Sequence, residues 1–168
     1  MSYYRRANTL GGCYFFTVVT RHRFPFFSTP DNVQLLRDAI RKTIKQKPFT
    51  IDAMVVLPDH IHTLWQLPDG DADFSNRWRE IKKYVSRHAL NCEDSVWQRR
   101  FWEHLIRDEN DWQPHMDYIH YNPVKHGWSE TPATWPYSSF SRCVKKGLYE
   151  VNWGRDGEPV NIEEMRLE

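Results

Sequence analysis

The stretch FTIDAMVVLPDHIHTLWQL, residues 49–67, decides how this chain folds. Phe49 to Leu57 is dominated by apolar and β-branched residues and reads as a strand. Pro58-Asp59 makes a tight connection, and His60 to Leu67 reads as a strand running back antiparallel to the first. Side chains alternate along a strand, so His60 and His62 project from one face while Ile61 points into the core. The histidine face is expected to be one that no helix obviously covers. Two imidazoles side by side supply half of a metal site.

The hairpin lies between helical segments. Upstream, Gly11-Gly12 opens Cys13 to Thr20, whose apolar centre predicts a strand buried on both faces. Pro30-Asp31 starts a helix with Asp31 as N-cap, and Leu35, Leu36, Ala39, Ile40 and Ile44 recur at helical spacing before Pro48 stops it. Downstream, Ser75 caps a helix running to about Leu90, with Trp78, Ile81 and Val85 inward and Arg79, Lys82, Lys83 and Arg87 outward. Val96 to Ile106 is a fourth strand region. Asp111 caps a further helix, in which Pro114 falls in the first turn and is tolerated. That helix is expected to end at Asn122, because Pro123 disfavours α backbone in the residue before it.

The order β-α-β-β-α-β-α implies an α+β fold: a ferredoxin-like antiparallel sheet with helices packed on one face. No repeat or linker divides the chain, so a single domain is expected over 1–149, followed by an acidic tail over 150–168.

Net charge is only +1, but it is unevenly spread. Residues 1–50 carry nine Lys or Arg against Asp31 and Asp38, a net +7, whereas residues 150–168 are net −4. A basic front end points to a polyanionic partner. The acidic tail reads as a frayed end or as a competitor for the same surface. Rings alternate with cations in Trp97-Gln98-Arg99-Arg100-Phe101-Trp102, an interleaving suited to stacking on bases and meeting phosphates. Cys13, Cys92 and Cys143 are odd in number and far apart, which implies neither a zinc ribbon nor a disulfide framework. No apolar run suits a signal peptide or a membrane span, and the cytoplasm is the expected compartment.

Tyr118 and Asn122 are four apart and share a helix face, with roughly 6 Å between Cβ atoms. By itself an HxH pair is a weak signal, and its neighbours exclude two families. A histidine-triad nucleotide hydrolase would carry a third His where Leu64 stands, and an HxHxDH metallo-hydrolase an acid and a His where Leu64 and Trp65 stand. The third ligand must come from elsewhere. Asn122 offers a hard amide oxygen which, with His60 and His62, leaves positions open for phosphate oxygens on Mg²⁺ or Mn²⁺.

Over roughly residues 3 to 153 the sequence resembles the REP-associated tyrosine transposases, relatives of the single-tyrosine transposases of small bacterial insertion sequences within the HUH nuclease superfamily. The resemblance is carried by Val55-Val56-Leu57-Pro58-Asp59-His60-Ile61-His62, by Trp78-Arg79-Glu80-Ile81-Lys82-Lys83, and by Trp97-Gln98-Arg99-Arg100-Phe101-Trp102-Glu103-His104. Asp117-Tyr118-Ile119-His120-Tyr121-Asn122-Pro123-Val124-Lys125-His126-Gly127-Trp128 and Trp135-Pro136-Tyr137-Ser138-Ser139-Phe140 complete it. It implies Tyr118 as nucleophile, His60 and His62 as metal ligands, and Asn122 in the ligand position one turn after the tyrosine. Insertion-sequence relatives typically carry Gln there, one methylene longer.

The resemblance implies a metal-dependent endonuclease and strand transferase. It would cleave single-stranded DNA beside REP-type hairpins through a 5′-phosphotyrosine intermediate. Hairpin shape and a few unpaired bases read on aromatic rings would set the substrate. Arg5, Arg6, Lys82, Lys83, Arg87, Arg100 and Lys125 are the candidate phosphate contacts. His120, two positions from Tyr118, faces elsewhere on the helix and is given no catalytic role. Insertion-sequence enzymes of this kind usually dimerise, with each tyrosine in the partner's site; the REP-associated branch implies a monomer. The alternatives are a cleavage-inactive hairpin-binding protein of the same fold and an unrelated metal phosphodiesterase of small nucleotides, the latter disfavoured by the basic N-terminus and the tryptophan-rich composition.

Overall fold

The computed structural model describes residues 8–90, 92 and 94–168. Arg5 and Arg6, two of the expected phosphate contacts, lie outside the described residues. The sheet has four strands, β1 (Cys13–Val19), β2 (Thr50–Val56), β3 (His60–Gln66) and β4 (Trp102–Leu105), in the order β2-β3-β1-β4. Neighbouring strands are antiparallel throughout, the ferredoxin-like arrangement expected from the sequence.

Helices α1 (Pro30–Gln46) and α2 (Phe74–His88) pack together on one face. Alternation along β1 sends Tyr14, Phe16 and Val18 into their core, beside Leu36, Ile61, Trp65, Trp78 and Ile81. Trp65 and Trp78 stack there, ring centroids 4.4 Å apart and planes 15° from parallel. Buried Arg77 closes one end of this layer, bonding both carboxylate oxygens of Asp71 and the carbonyls of Lys47, Pro48 and Asp73.

The other face of the sheet is also covered. Helix α3 (Glu109–Lys125) lies across it, and Phe15, Val55 and Leu64 meet Met116, Tyr118 and Ile119 in a second core. Short helix α4 (Phe140–Lys145) adds Phe140 and Cys143 to that core. The histidine face expected to lack a helix is therefore roofed by α3, and His60 and His62 are buried.

Several boundaries differ from the sequence reading, each for a local reason. N-caps fall earlier than expected: the side chains of Thr29, Asp73 and Asp108 accept from the backbone N–H three residues on, in place of Asp31, Ser75 and Asp111. The fourth strand is short, because Trp97 makes only an isolated bridge to Thr20 before the chain turns toward β4.

Helix α3 runs through Pro123 to Lys125 and does not end at Asn122. Proline removes one backbone hydrogen bond. Burial of Asn122 and Pro123 and the packing of Val124 on the second core offset that loss. The helix then ends in a Schellman motif: Trp128 N–H donates to Pro123 O, Gly127 N–H to Val124 O, and Gly127 takes φ +74°.

The acidic segment 150–168 is not a frayed tail outside a 1–149 domain. Ile162 is fully buried in the second core, with Met165 and Leu167 packed beside it. Asn161 Nδ2 donates to Asp117 Oδ2 at 2.7 Å, on a carboxylate that also accepts from Tyr149 and Gln113. No helix among the described residues is long and apolar enough to cross a membrane.

Candidate functional site

Strand register and helix pitch bring four sequence-predicted residues together between the sheet and α3. Thr17 pairs with His62 across β1 and β3, and Val19 with His60. The two imidazoles lie with centroids 4.8 Å apart. The His62 ring also meets the Tyr118 ring at 5.3 Å, and Phe15 forms the floor beneath both. Tyr118 and both histidines of this cluster come from the same chain.

Hydrogen bonds fix which nitrogen of each histidine is available. His60 Nδ1 lies 2.6 Å from Asp59 Oδ1. Asp59 is held down at a pKa of about 2, chiefly by that hydrogen bond, so it is an acceptor and Nδ1 is the donor. Asp59 is itself bonded by Arg23 at 3.1 Å. For His62 the partner is Thr17, whose hydroxyl donates to Leu167 O at 2.6 Å and so must accept from His62 Nδ1 at 2.8 Å. Burial pushes His62 down to a pKa of about 3, which keeps the ring neutral. The Nε2 lone pair of His62 is consequently bare, and Nε2 is the ring nitrogen that His60 has left to offer a ligand.

His60 Nε2, His62 Nε2 and Asn122 Oδ1 are all buried with no hydrogen-bond partner among the described residues. Each such orphan is costly unless something pairs with it. Two imidazole lone pairs and an amide oxygen fit a divalent cation, with Nδ1 partners of the kind that orient metal-bound histidines.

Two residues that the sequence reading does not single out complete the site. His126 lies one turn beyond Asn122, its ring 5.2 Å from that of His60. Glu168 Oε1 receives three hydrogen bonds, from Tyr118 OH at 2.8 Å, His126 Nε2 at 2.7 Å and Asn122 Nδ2 at 3.3 Å. His62 Nε2 lies 3.8 Å from the same oxygen, beyond hydrogen-bonding reach. Burial alone would raise the Glu168 pKa, but the hydrogen bonds of His126 and its neighbours outweigh it and hold the group far below the usual carboxylate range. Burial and then the Glu168 carboxylate push the Tyr118 phenol up, so its hydroxyl is protonated as it stands.

Such convergence of donors on one anionic oxygen is the pattern of an anion site. One ligand atom each of His60, His126 and Glu168 falls within a 4.8 Å cluster, which makes the last two further candidate metal ligands. The signal for His126 is its i+4 spacing from Asn122, which counts only if the helix continues past Pro123. Glu168 carries no local signal, since its docking depends on Ile162 some positions away.

The expected phosphate contacts scatter. Lys125 Nζ sits 4.9 Å over the Tyr118 ring and donates to Met165 O, so the acidic segment holds it beside that ring. Arg100 is exposed just before β4. Lys82 donates to Gln98 O and lies over the Trp97 and Phe101 rings. Lys83 and Arg87 line a crease between α1 and α2, so α2 carries all three on the sheet face opposite the site. His120 faces away from the site, its Nε2 bonded to Ser139 Oγ at 2.8 Å. A second group of possible metal ligands, His104, Asp111 and His115, joins β4 to the first turns of α3. Its carboxylate is already engaged by Arg107 N–H and His104.

Comparison with known proteins gives a consistent answer. The family description "Transposase IS200 like" matches residues 11–121. A REP-associated tyrosine transposase of Escherichia coli K12 is 51% identical over 93% of each chain. A putative REP-associated tyrosine transposase of Haemophilus influenzae is 45% identical, covering 92% of this chain and 94% of its own. A solved structure of a REP-associated tyrosine transposase bound to a REP hairpin superposes with a TM-score of 0.85 at 48% identity, over 99% of both chains.

Proposed function

We propose, for a chain that belongs to the IS200-like transposase family and within it to the REP-associated tyrosine transposases, that it cleaves and rejoins single-stranded DNA beside REP-type hairpins. The single observation that supports the chemistry is that the Tyr118 hydroxyl, Asn122 Nδ2 and His62 Nε2 lie 2.8, 3.3 and 3.8 Å from one oxygen, Glu168 Oε1, with His60 Nε2, His62 Nε2 and Asn122 Oδ1 buried and unpartnered. Hairpin recognition is supported by the relative solved with a REP hairpin.

Tyr118 Oη attacks the scissile phosphorus in line. A bond forms between that oxygen and phosphorus, the bond from phosphorus to the 3′-oxygen breaks, and the products are a 5′-phosphotyrosine and a free 3′-OH. Attack by another 3′-OH reverses the step and joins strands, so no nucleotide cofactor is consumed. Mg²⁺ or Mn²⁺ held by His60, His62 and Asn122 would polarise the phosphate and offset charge on its non-bridging oxygens. The Asp59 and Thr17 hydrogen bonds keep both imidazoles in the ligating tautomer. Asn122 Nδ2 and His126 Nε2 donate where Glu168 Oε1 now sits, and a phosphate oxygen replaces that carboxylate oxygen in the working complex. Segment 150–168 thus acts as a competitor for the same surface as the DNA. Because Tyr118 stands beside its own chain's histidines, the enzyme works as a monomer, and its substrate places it in the cytoplasm.

The test is a gel assay on labelled hairpin DNA with its single-stranded flanks, with Mg²⁺ or Mn²⁺, comparing the native chain with Tyr118→Phe. A covalent protein–DNA band that vanishes in the Phe variant is expected. Tight binding without a covalent band, in both metals and across several hairpins, would instead indicate a hairpin-binding protein without cleavage.

A further inference from the structure

We infer that Trp102 is a preformed stacking platform for one unpaired base of the single-stranded flank, next to the scissile phosphate. The inference rests on the proposed action on single-stranded DNA and names the place where an unpaired base is held.

Trp102 begins β4, an edge strand, and pairs directly with Thr17 of β1. Residues opposite one another in an antiparallel pair project from the same face. Trp102 therefore shares its face with Thr17, the partner of His62, and meets Phe15 edge-on at 5.8 Å. Phe15 also touches His62 and Tyr118, so a single ring separates Trp102 from the nucleophile and from a metal ligand. Yet Trp102 is 41% exposed, whereas Phe15, His62 and Tyr118 are buried. A large ring left to solvent beside a buried reaction centre has the form of a base-stacking surface.

The ring is also held at a fixed angle. His104 lies parallel to Trp102, 11° between planes and 6.0 Å between centroids, and His115 continues the ladder at 11° and 4.8 Å. His104 Nε2 is tied to Asp111 Oδ2 at 2.8 Å, the Arg107 backbone N–H fixes that carboxylate at 3.0 Å, and His115 Nδ1 donates to Asp111 O at 2.6 Å. The cluster that could otherwise be read as a second metal site thus buttresses Trp102 from behind. A platform locked before binding loses little side-chain freedom on binding. Exposed Arg100 and Arg107 stand just before and just after β4 in the chain, Arg107 Nε lying 3.5 Å from Asp111 Oδ2, and supply positive charge for the phosphates of a strand laid over Trp102.

The experiment compares two oligonucleotides, a REP-type hairpin with its single-stranded flank and the same hairpin without it, and scans 2-aminopurine through the flank. The native chain is expected to bind the flanked hairpin more tightly, with the fluorescence of one flank position altered. Trp102→Ala should lose that preference by about tenfold or more while binding the flankless hairpin as before. Trp102→Phe should retain most of it, and His104→Ala should fall between them. Trp102→Ala binding both oligonucleotides as the native chain does, or a native chain that does not distinguish them, overturns the platform and leaves the proposed function standing. Failure of the native chain to bind either hairpin overturns both.

Discussion

The Tyr118 hydroxyl donates to Glu168 Oε1 at 2.8 Å, so the nucleophile of the proposed reaction and the acidic segment hold one another in place. Removing residues 163–168, or Glu168→Ala alone, should raise the initial rate of covalent adduct formation. Docking worth about 1.4 kcal/mol corresponds to about tenfold. Asn161→Ala loosens the same segment through Asp117 without touching the site and should shift the rate in the same direction. Unchanged rates in all three variants would mean that the segment lifts at no cost.

Thr17 matters because of what it fixes. Thr17→Val keeps the shape of the side chain but leaves the His62 Nδ1–H and the Leu167 carbonyl without their partner. Affinity for Mn²⁺, measured calorimetrically on protein without DNA, should fall about 10- to 100-fold. Asp59→Asn should act comparably through His60. Circular dichroism spectra of both variants should match the native chain.

Buried Arg77 gives a stability prediction remote from the site. Arg77→Ala strips Asp71 of its cation, leaving it only the Asp73 N–H, and leaves the Lys47 and Pro48 carbonyls without that donor; it should cost about 3 kcal/mol in urea denaturation.

The same pair sets an acid dependence. Arg77 hydrogen bonds hold the Asp71 pKa at about 2 in the folded chain, against an ordinary value near 3.9 when unfolded. A depressed carboxylate contributes stability that is fully present above the unfolded value and is lost as pH falls through the folded one. Asp71→Asn should therefore be less stable than the native chain at pH 7, with the gap narrowing between about pH 4 and pH 2.

Gly127→Ala forces a side chain onto a φ of +74° at the end of α3. A loss of about 1 kcal/mol is expected in thermal unfolding. Because His126 is the cap residue of that helix, the adduct rate should change as well.

Much of this is legible in the sequence. The pair spacings of His60 with His62 and of Tyr118 with Asn122 depend only on strand and helix periods, so both survive errors in element ends. Helix α2 likewise shows Trp78, Ile81 and Val85 inward as their spacing requires. The features that escape a sequence reading depend on distant packing. Pro123 marks a weak preference in its predecessor, and the second core overrides it, which is why His126 gives no signal of its own. Residues 150–168 suggest a solvated segment because they carry a net charge of −4 and their apolar residues follow no helical or strand period. The depth at which Ile162 is buried is set by α3 and cannot be seen from a local count. Lys82, Lys83 and Arg87 do lie on an outward helix face, but an outward face of α2 is on the far side of the sheet from the chemistry.

The margins of the sheet have a consequence for how copies of this chain meet. The outer edge of β2 is capped by residues 137–139, with Val56 N–H donating to Tyr137 O and Ser139 N–H to Met54 O. At the opposite margin β4 is four residues long. Neither border offers the long, flat row of free amides that recruits a foreign strand. Sheet extension and strand exchange between molecules are thereby discouraged, so that copies of this chain brought close together can lie side by side without fusing into a continuous β-structure.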